Sequence, residues 1–549
     1  MEKVVCVDLR RFDPESRDHG VGAYLERLSF MPSALCFLNF HVMFVLEYEG
    51  ICDKELDPIS VGQNGTPCPD RWTVRAFHSL VQTIRGMGIE VYFGLLANTT
   101  SPVWHNTAYE WTHPELLQTS VGGERVWGNA VNVLKRFDDG RYLDEVIARN
   151  LGHIFRDFGF DAYVAGDGML GLRGPRDTLR ETDFSRDMVE QFSQHSSIEV
   201  DGRLDYEGRR RFISEGFYDE WVDFWCWRWA CHVGRIHDAI AVYGASFMAL
   251  DAWSRSPEEC RRLFGIDYRM LCDKGLEKVF VRCGESSKWR KHREGEYARQ
   301  DCSMYTIMAH ALYEPRLSYL WVQPTANVPE FWNTVQDLPQ VSRRELSAYF
   351  ALHVMSDEDG CWKQALDGVC IIWGNDLSHE DWTWLASGWE NVMEWNASFL
   401  KPFGPVLLVP DSTSSKPGSH MLFARLYDAG LPISCAMHMD QAKAGHVFIT
   451  FDEDVATRMP GVFHFDGERF HLDGCHMSFL QGVEKILQRC GISHAACRWH
   501  AFMASQSLLC MCIENAESLE PVRQSLTIQG KSTCVTVPPD GVACAQMAI

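Results

Sequence analysis

Eight short apolar runs, each followed by a helical stretch, fill the first four hundred residues, and this alternation constrains the fold more than any other feature. The runs are Val4 to Val7, His41 to Leu46, Ile89 to Leu96, Asp161 to Ala165, Ala241 to Leu250, Leu276 to Val281, Leu317 to Val322 and Gly368 to Ile372. A crossover helix returns the chain to start the next strand in the same direction, so the pattern predicts parallel pairing. Eight such units predict an α/β fold closed into a (β/α)8 TIM barrel, where the residues just after each strand gather at one rim. Six runs lead to an acidic residue or a tryptophan there: Asp8, Glu47, Asp167, Asp251, Glu285 and Trp373.

The rhythm ends near Leu400, so residues 1–400 are read as the barrel. Residues 401–500 open with KPFGPVLLVP and read as a small α/β open-sheet domain of Rossmann or flavodoxin-like layout. No GxGxxG follows its first strand, which argues against a nucleotide site. Residues 501–549 alternate and carry turn signals, predicting a short C-terminal antiparallel β module. Inside the barrel span, Thr99 to Asp139 and Leu170 to Arg211 are too long for plain connections and read as walls of a site. Phe217 to Ile240 places Trp221, Trp225, Arg228, Trp229 and His232 at helical spacing, which reads as a core-facing stripe.

A net charge of −22 with no basic stripe argues against a nucleic-acid partner. The 20 cysteines are scattered, many in apolar runs such as Cys6, Cys36, Cys283 and Cys370, as expected of buried reduced thiols. MEKVVCVDLRRFDP has acid and arginines where a signal peptide is apolar, and Pro32, Asn39 and His41 break the longest apolar region. A cytoplasmic protein without a membrane span is expected. No HExxH or GxSxG occurs, and His438, Asp440, His464, His471 and His476 lack ligand spacing, so no metal or other cofactor is expected.

Barrel, small α/β domain and β module, in that order, resemble the family 42 β-galactosidases, which are retaining glycoside hydrolases, over nearly the whole chain. That family ends its fourth strand in Asn-Glu, where this chain has Gly166-Asp167-Gly168, and its seventh in a Glu, where this chain has Trp321-Val322-Gln323-Pro324. Neither family carboxylate carries over. Trp373 matches the aromatic floor of barrel glycosidases, and the Asp of YVAGDG is similar in position to the nucleophile of the α-galactosidase and α-amylase groups. Those groups take their acid from the fifth or sixth strand, where this chain offers Asp251 and Glu285. The resemblance implies a glycosidase acting on small oligosaccharides or glycosides, and a homo-oligomer assembled through the second domain.

Glycosidic cleavage needs a proton for the leaving oxygen and negative charge against an oxocarbenium-like carbon, hence two carboxyl groups of different pKa. Asp167 reads as the nucleophile because flanking glycines let backbone approach closely, with a turn or capping aspartate as the alternative reading. Glu285 reads as the general acid/base, with Asp251 its rival. Of Glu47 and Glu49 in LEYEG, alternation turns only one inward, where Glu47 would bind a sugar hydroxyl. Asn98, Trp104, His105, Trp253 and Trp373 supply hydrogen bonds and apolar faces suited to a pyranose. Asp376 reads as the cap of the helix after the eighth strand. Two other readings use the same residues: a phosphorylase, with phosphate replacing water, and a non-catalytic carbohydrate-binding protein on a degenerate barrel.

Overall fold

A computed structural model describes the chain except residues 57–69, 98–112, 121–122, 125–129, 167, 172–177, 252–255, 282–299, 314–316, 323–324, 327–331, 334, 336–338, 356–360, 373, 375–376, 410–418, 438–445, 496, 516–517, 519 and 540. The barrel strands are β1 (Glu2–Cys6), β2 (Ala34–His41), β3 (Glu90–Ala97), β4 (Ala162–Ala165), β5 (Ser246–Leu250), β6 (Leu276–Val281), β7 (Leu317–Val322) and β8 (Gly368–Ile372). They close in the order β1-β8-β7-β6-β5-β4-β3-β2. Pairing is parallel from β8 through β1 to β6, as the helical crossovers require.

Two runs depart from the sequence expectation: Ala241 to Leu250 is strand only from Ser246, because the preceding helix extends to Ala241, and the second run is displaced. The run His41 to Leu46 is not the second strand, since β2 ends at His41 and Val42–Leu46 forms a short helix. From Ala34 to Leu46 the polar residues are Asn39 and His41, two apart, and no change of period marks the switch from strand to helix. Register decides it: Val4 pairs with Ala34 and Cys6 with Cys36, which uses the earlier part of the run as the strand. The helix then buries Val42, Met43 and Val45, and Phe40 packs between Phe77 and Phe93 at centroid distances of 5.0 and 5.1 Å.

The outer helices follow their spacing. Val74–Gly86 buries Val74, Phe77, Leu80, Val81 and Ile84, and Thr73 caps it by accepting from the Ala76 amide at 3.1 Å. Tyr218–Ala241 buries Trp221, Trp225, Arg228, Trp229 and His232, so the aromatic stripe is core and offers no sugar platform. Each such ring contributes about 1.5–3 kcal/mol by leaving water. Every described cysteine is a free thiol, and burial pushes those of Cys6, Cys36 and Cys370 upward in pKa.

The chain divides into two compact units, Met1–Phe280 with Asn327–Phe331 and Gly368–Asp376, and Val281–Ala326 with Trp332–Asp367 and Leu377–Ile549. In the second, an eight-stranded sheet runs in the order Trp362–Gln364, His353–Met355, Ser434–Ala436, Val406–Leu408, Phe448–Thr450, Phe463–Phe465, Phe470–Leu472, Cys475–Met477. It therefore draws its first two strands from the span that the sequence rhythm assigns to the barrel. Seven further strands form two antiparallel sheets over a core of Trp499, Leu509, Met511, Ile513, Leu526, Ile528 and Val537. Among the described residues no helix is long and apolar enough to cross a membrane.

One turn in this unit depends on a glycine. Gly404 has φ +117°, and a Cβ there would lie 2.1 Å from the Pro432 carbonyl oxygen. Gly404→Ala is expected to cost about 2–4 kcal/mol through backbone strain and overpacking. A fall in the urea midpoint at unchanged m-value checks this.

Candidate active site at the barrel rim

At the end of β1, Asp8 is buried and accepts from the Arg10 amide at 3.0 Å and from its Nη2 at 2.8 Å, closing a short 3-10 turn. The end of β2 is the half-buried His41. Glu47 lies one short helix further on, as the C-cap of Val42–Leu46, exposed and 3.6 Å from Lys54 Nζ. Glu49 is exposed as well.

After β4 the described residues on both sides of Asp167 form a closed turn. The Gly166 amide donates to the Leu95 carbonyl at 2.8 Å, and the Met169 and Leu170 amides return to the Gly166 carbonyl at 3.0 and 3.2 Å. Gly168 has φ +75°, the left-handed conformation that such a turn requires at its third position. The turn is thus closed by Gly166, Met169 and Leu170 at the end of β4.

After β5, Asp251 is 3% exposed, and its amide donates to the Phe280 carbonyl of β6 at 3.1 Å. Its charge raises the pKa of the buried Cys260 thiol, on the helix that follows, after the larger effects of burial and Tyr268. Asp167, Glu285, Asn98, Trp104, His105, Trp253 and Trp373 lie outside the described residues. Asp376 does too, but the cap expected of it belongs to Ser378, which forms a capping box with Asp381 at the start of His379–Asn396. The S-x-x-D pattern of that box stands in the sequence and sits closer to the helix start than Asp376.

The described residues of the two long segments after β3 and β4 are bonded to each other. Asp183, fully buried, accepts from Thr119 Oγ1 at 2.6 Å, Asn132 Nδ2 at 3.3 Å and the Ser185 amide at 3.0 Å, and faces Lys135 Nζ at 3.1 Å. Burial alone would raise the Asp183 carboxyl, but the Lys135 charge and these donors outweigh it and hold it below the usual carboxylate range. Lys135 also donates to the Leu117 carbonyl at 2.6 Å. Arg136 adds a 2.7 Å contact from Nε to Asp187.

The helix Tyr218–Ala241 holds a second buried network. Arg228 donates to Asp144 Oδ2 at 3.0 Å, to Gln191 Oε1 at 2.9 Å and to the Leu134 carbonyl at 3.0 Å. Arg235 takes the other Asp144 oxygen at 2.5 Å, and the Tyr142 ring lies 4.7 Å from both guanidinium carbons. Burial works to raise the Asp144 carboxyl, yet His232, Arg228 and Arg235 together hold it well below the ordinary range. The sequence reading passed over Asp144, Asp183 and Lys135, whose partners come from distant segments. Among the described residues no group of three or more His, Cys, Asp or Glu is arranged to hold a metal ion.

No family model matches the chain, and no curated protein does. Among solved structures it is similar to the glycoside hydrolase domain of PgaB (BpsB) from Bordetella bronchiseptica, at 12% identity and a TM-score of 0.44, over 72% of this chain and 97% of that one. It is also similar to the noncanonic maltogenic α-amylase AmyB from Thermotoga neapolitana, at 10% identity and a TM-score of 0.38, over 100% and 96% of the two chains. An α-amylase from Lactobacillus plantarum stands at 10% identity and 0.38, over 100% and 99%. A barrel hosts many chemistries, so function is argued from this chain's own rim residues.

Proposed function

We propose that this chain is a glycoside hydrolase that cleaves small oligosaccharides or glycosides at the C-terminal rim of its barrel, with retention of configuration. The observation that supports this reading is the closed eight-stranded barrel, whose fourth strand ends at Ala165, two residues before Asp167 in the sequence. In the proposed reaction the Asp167 carboxylate attacks the anomeric carbon while Glu285, or Asp251 in its place, protonates the departing oxygen. Water, deprotonated by the same residue, then releases the sugar from Asp167. Retention requires the two carboxyl groups to stand about 5–5.5 Å apart. Asn98, Trp104, His105, Trp253 and Trp373 are proposed to hold the sugar; the protein is proposed to work in the cytoplasm as a homo-oligomer.

A panel of aryl α- and β-glycosides and short oligosaccharides, each with and without inorganic phosphate, tests the reading. Turnover that is independent of phosphate is the expected result. Turnover that requires phosphate would replace hydrolysis by phosphorolysis, and saturable sugar binding without turnover would make the barrel a carbohydrate-binding scaffold.

A further inference from the structure

We infer that His232 is a positioning residue for the β4 turn, an inference that rests on the proposed role of Asp167 for its catalytic consequence. His232 is fully buried on Tyr218–Ala241, with its ring edge-on to Trp229 at 5.6 Å. Its Nε2 lies 3.0 Å from the Met169 carbonyl oxygen. A carbonyl can only accept, so Nε2 carries the proton and donates. Its Nδ1 faces Asp144 Oδ2 at 3.8 Å. Asp144 is in turn fixed by Arg228 and Arg235.

Met169, two residues after Asp167 in the sequence, closes the β4 turn together with Leu170. Its amide donates to Gly166, as does that of Leu170, and its carbonyl accepts from His232, so the turn is held from within by two bonds and from the helix by a third. A turn tied only to its own strand end can rock about that end. A second tie, from a long helix whose histidine is backed by a buried ionic cluster, removes that freedom. Displacement of a reacting group by about 1 Å costs on the order of a hundredfold in rate, so a tether two residues from the nucleophile has catalytic weight without touching substrate.

Two matched amides separate tethering from packing. The His232→Gln amide nitrogen reaches close to where Nε2 was and can still donate to Met169, whereas the His232→Asn amide is one methylene shorter and cannot. Hydrogen exchange of the Met169 and Leu170 amides in the intact protein reads the turn directly. Steady-state kinetics on the fastest glycoside of the panel read its consequence. His232→Asn is expected to speed exchange at these two amides about tenfold or more, leave β1 and β3 unchanged, and lower kcat about a hundredfold with KM within about twofold. His232→Gln is expected to restore both readouts to within about threefold of the parent. Unmoved exchange in His232→Asn, or equal losses in the two variants, would overturn the inference. A panel silent for the parent protein would defeat the glycosidase reading alone, because the exchange measurement decides the tether without substrate.

Discussion

Asp167→Asn is expected to lower kcat on an activated aryl glycoside by about a thousandfold or more, with KM changed by only a few fold. The amide keeps the shape of the carboxylate and removes its charge. It can neither form the glycosyl-enzyme nor offset the positive charge that develops at the anomeric carbon. The closing bonds of the turn run between Gly166, Met169 and Leu170 backbone atoms, so the substitution leaves them in place, and an unchanged denaturation midpoint is expected. Leaving groups sort the remaining carboxylates. A good leaving group needs little protonation, so the variant that removes the true acid, Glu285→Gln or Asp251→Asn, should recover on the most acidic phenols and fail on simple alkyl glycosides. Whichever of the two shows no such dependence is not the acid.

Asp144→Ala is expected to cost about 3–5 kcal/mol of stability, the scale for removing one partner from a buried ion pair. Arg228 is 1% exposed and would keep its bonds to Gln191 and the Leu134 carbonyl but lose its counter-charge. The dependence on pH has a definite sign. The folded pKa of Asp144 is depressed below its unfolded value of about 3.9, so its contribution is fully present above about pH 5 and is lost as pH falls through the folded value. Urea unfolding of the parent and Asp144→Ala at a series of pH values checks both points. The gap between them should be flat from neutral pH to about pH 5 and narrow below about pH 4. A gap that widened on acidification would mean that Asp144 is not held as a carboxylate.

What the sequence makes legible here is what repeats locally. Strands β6, β7 and β8 fall at Leu276–Val281, Leu317–Val322 and Gly368–Ile372, as their apolar runs and flanking turn residues predict. The helix Tyr218–Ala241 is legible because Trp221, Trp225 and Trp229 recur one turn apart. Strand β2 was hidden because its apolar run has no period and only pairing with β1 selects the register. At the rim, a turn was the alternative reading of the glycines flanking Asp167, and Gly166, Met169 and Leu170 close one at the end of β4. Glu47 shows the opposite case: its distance from the strand end became visible only when Val42–Leu46 proved helical. The polar scaffold was illegible for a simple reason. Arg228 meets Asp144 across 84 residues and His232 meets Met169 across 63, and no spacing rule in one sequence reports such a contact. Arginine and histidine on an otherwise aromatic helix face are the one available sign, since buried charge is tolerated only when paired.

The most direct test of the central claim is to trap the sugar on the protein. An activated 2-deoxy-2-fluoro analogue of the best panel substrate slows both steps by withdrawing charge from the oxocarbenium-like centre, while its leaving group keeps the first step the faster. Mass spectrometry of the digested protein is expected to find one sugar residue on the peptide that contains Asp167, and none in Asp167→Asn. A sugar attached to a peptide holding Asp251, Glu285 or any other residue would contradict the assignment of Asp167.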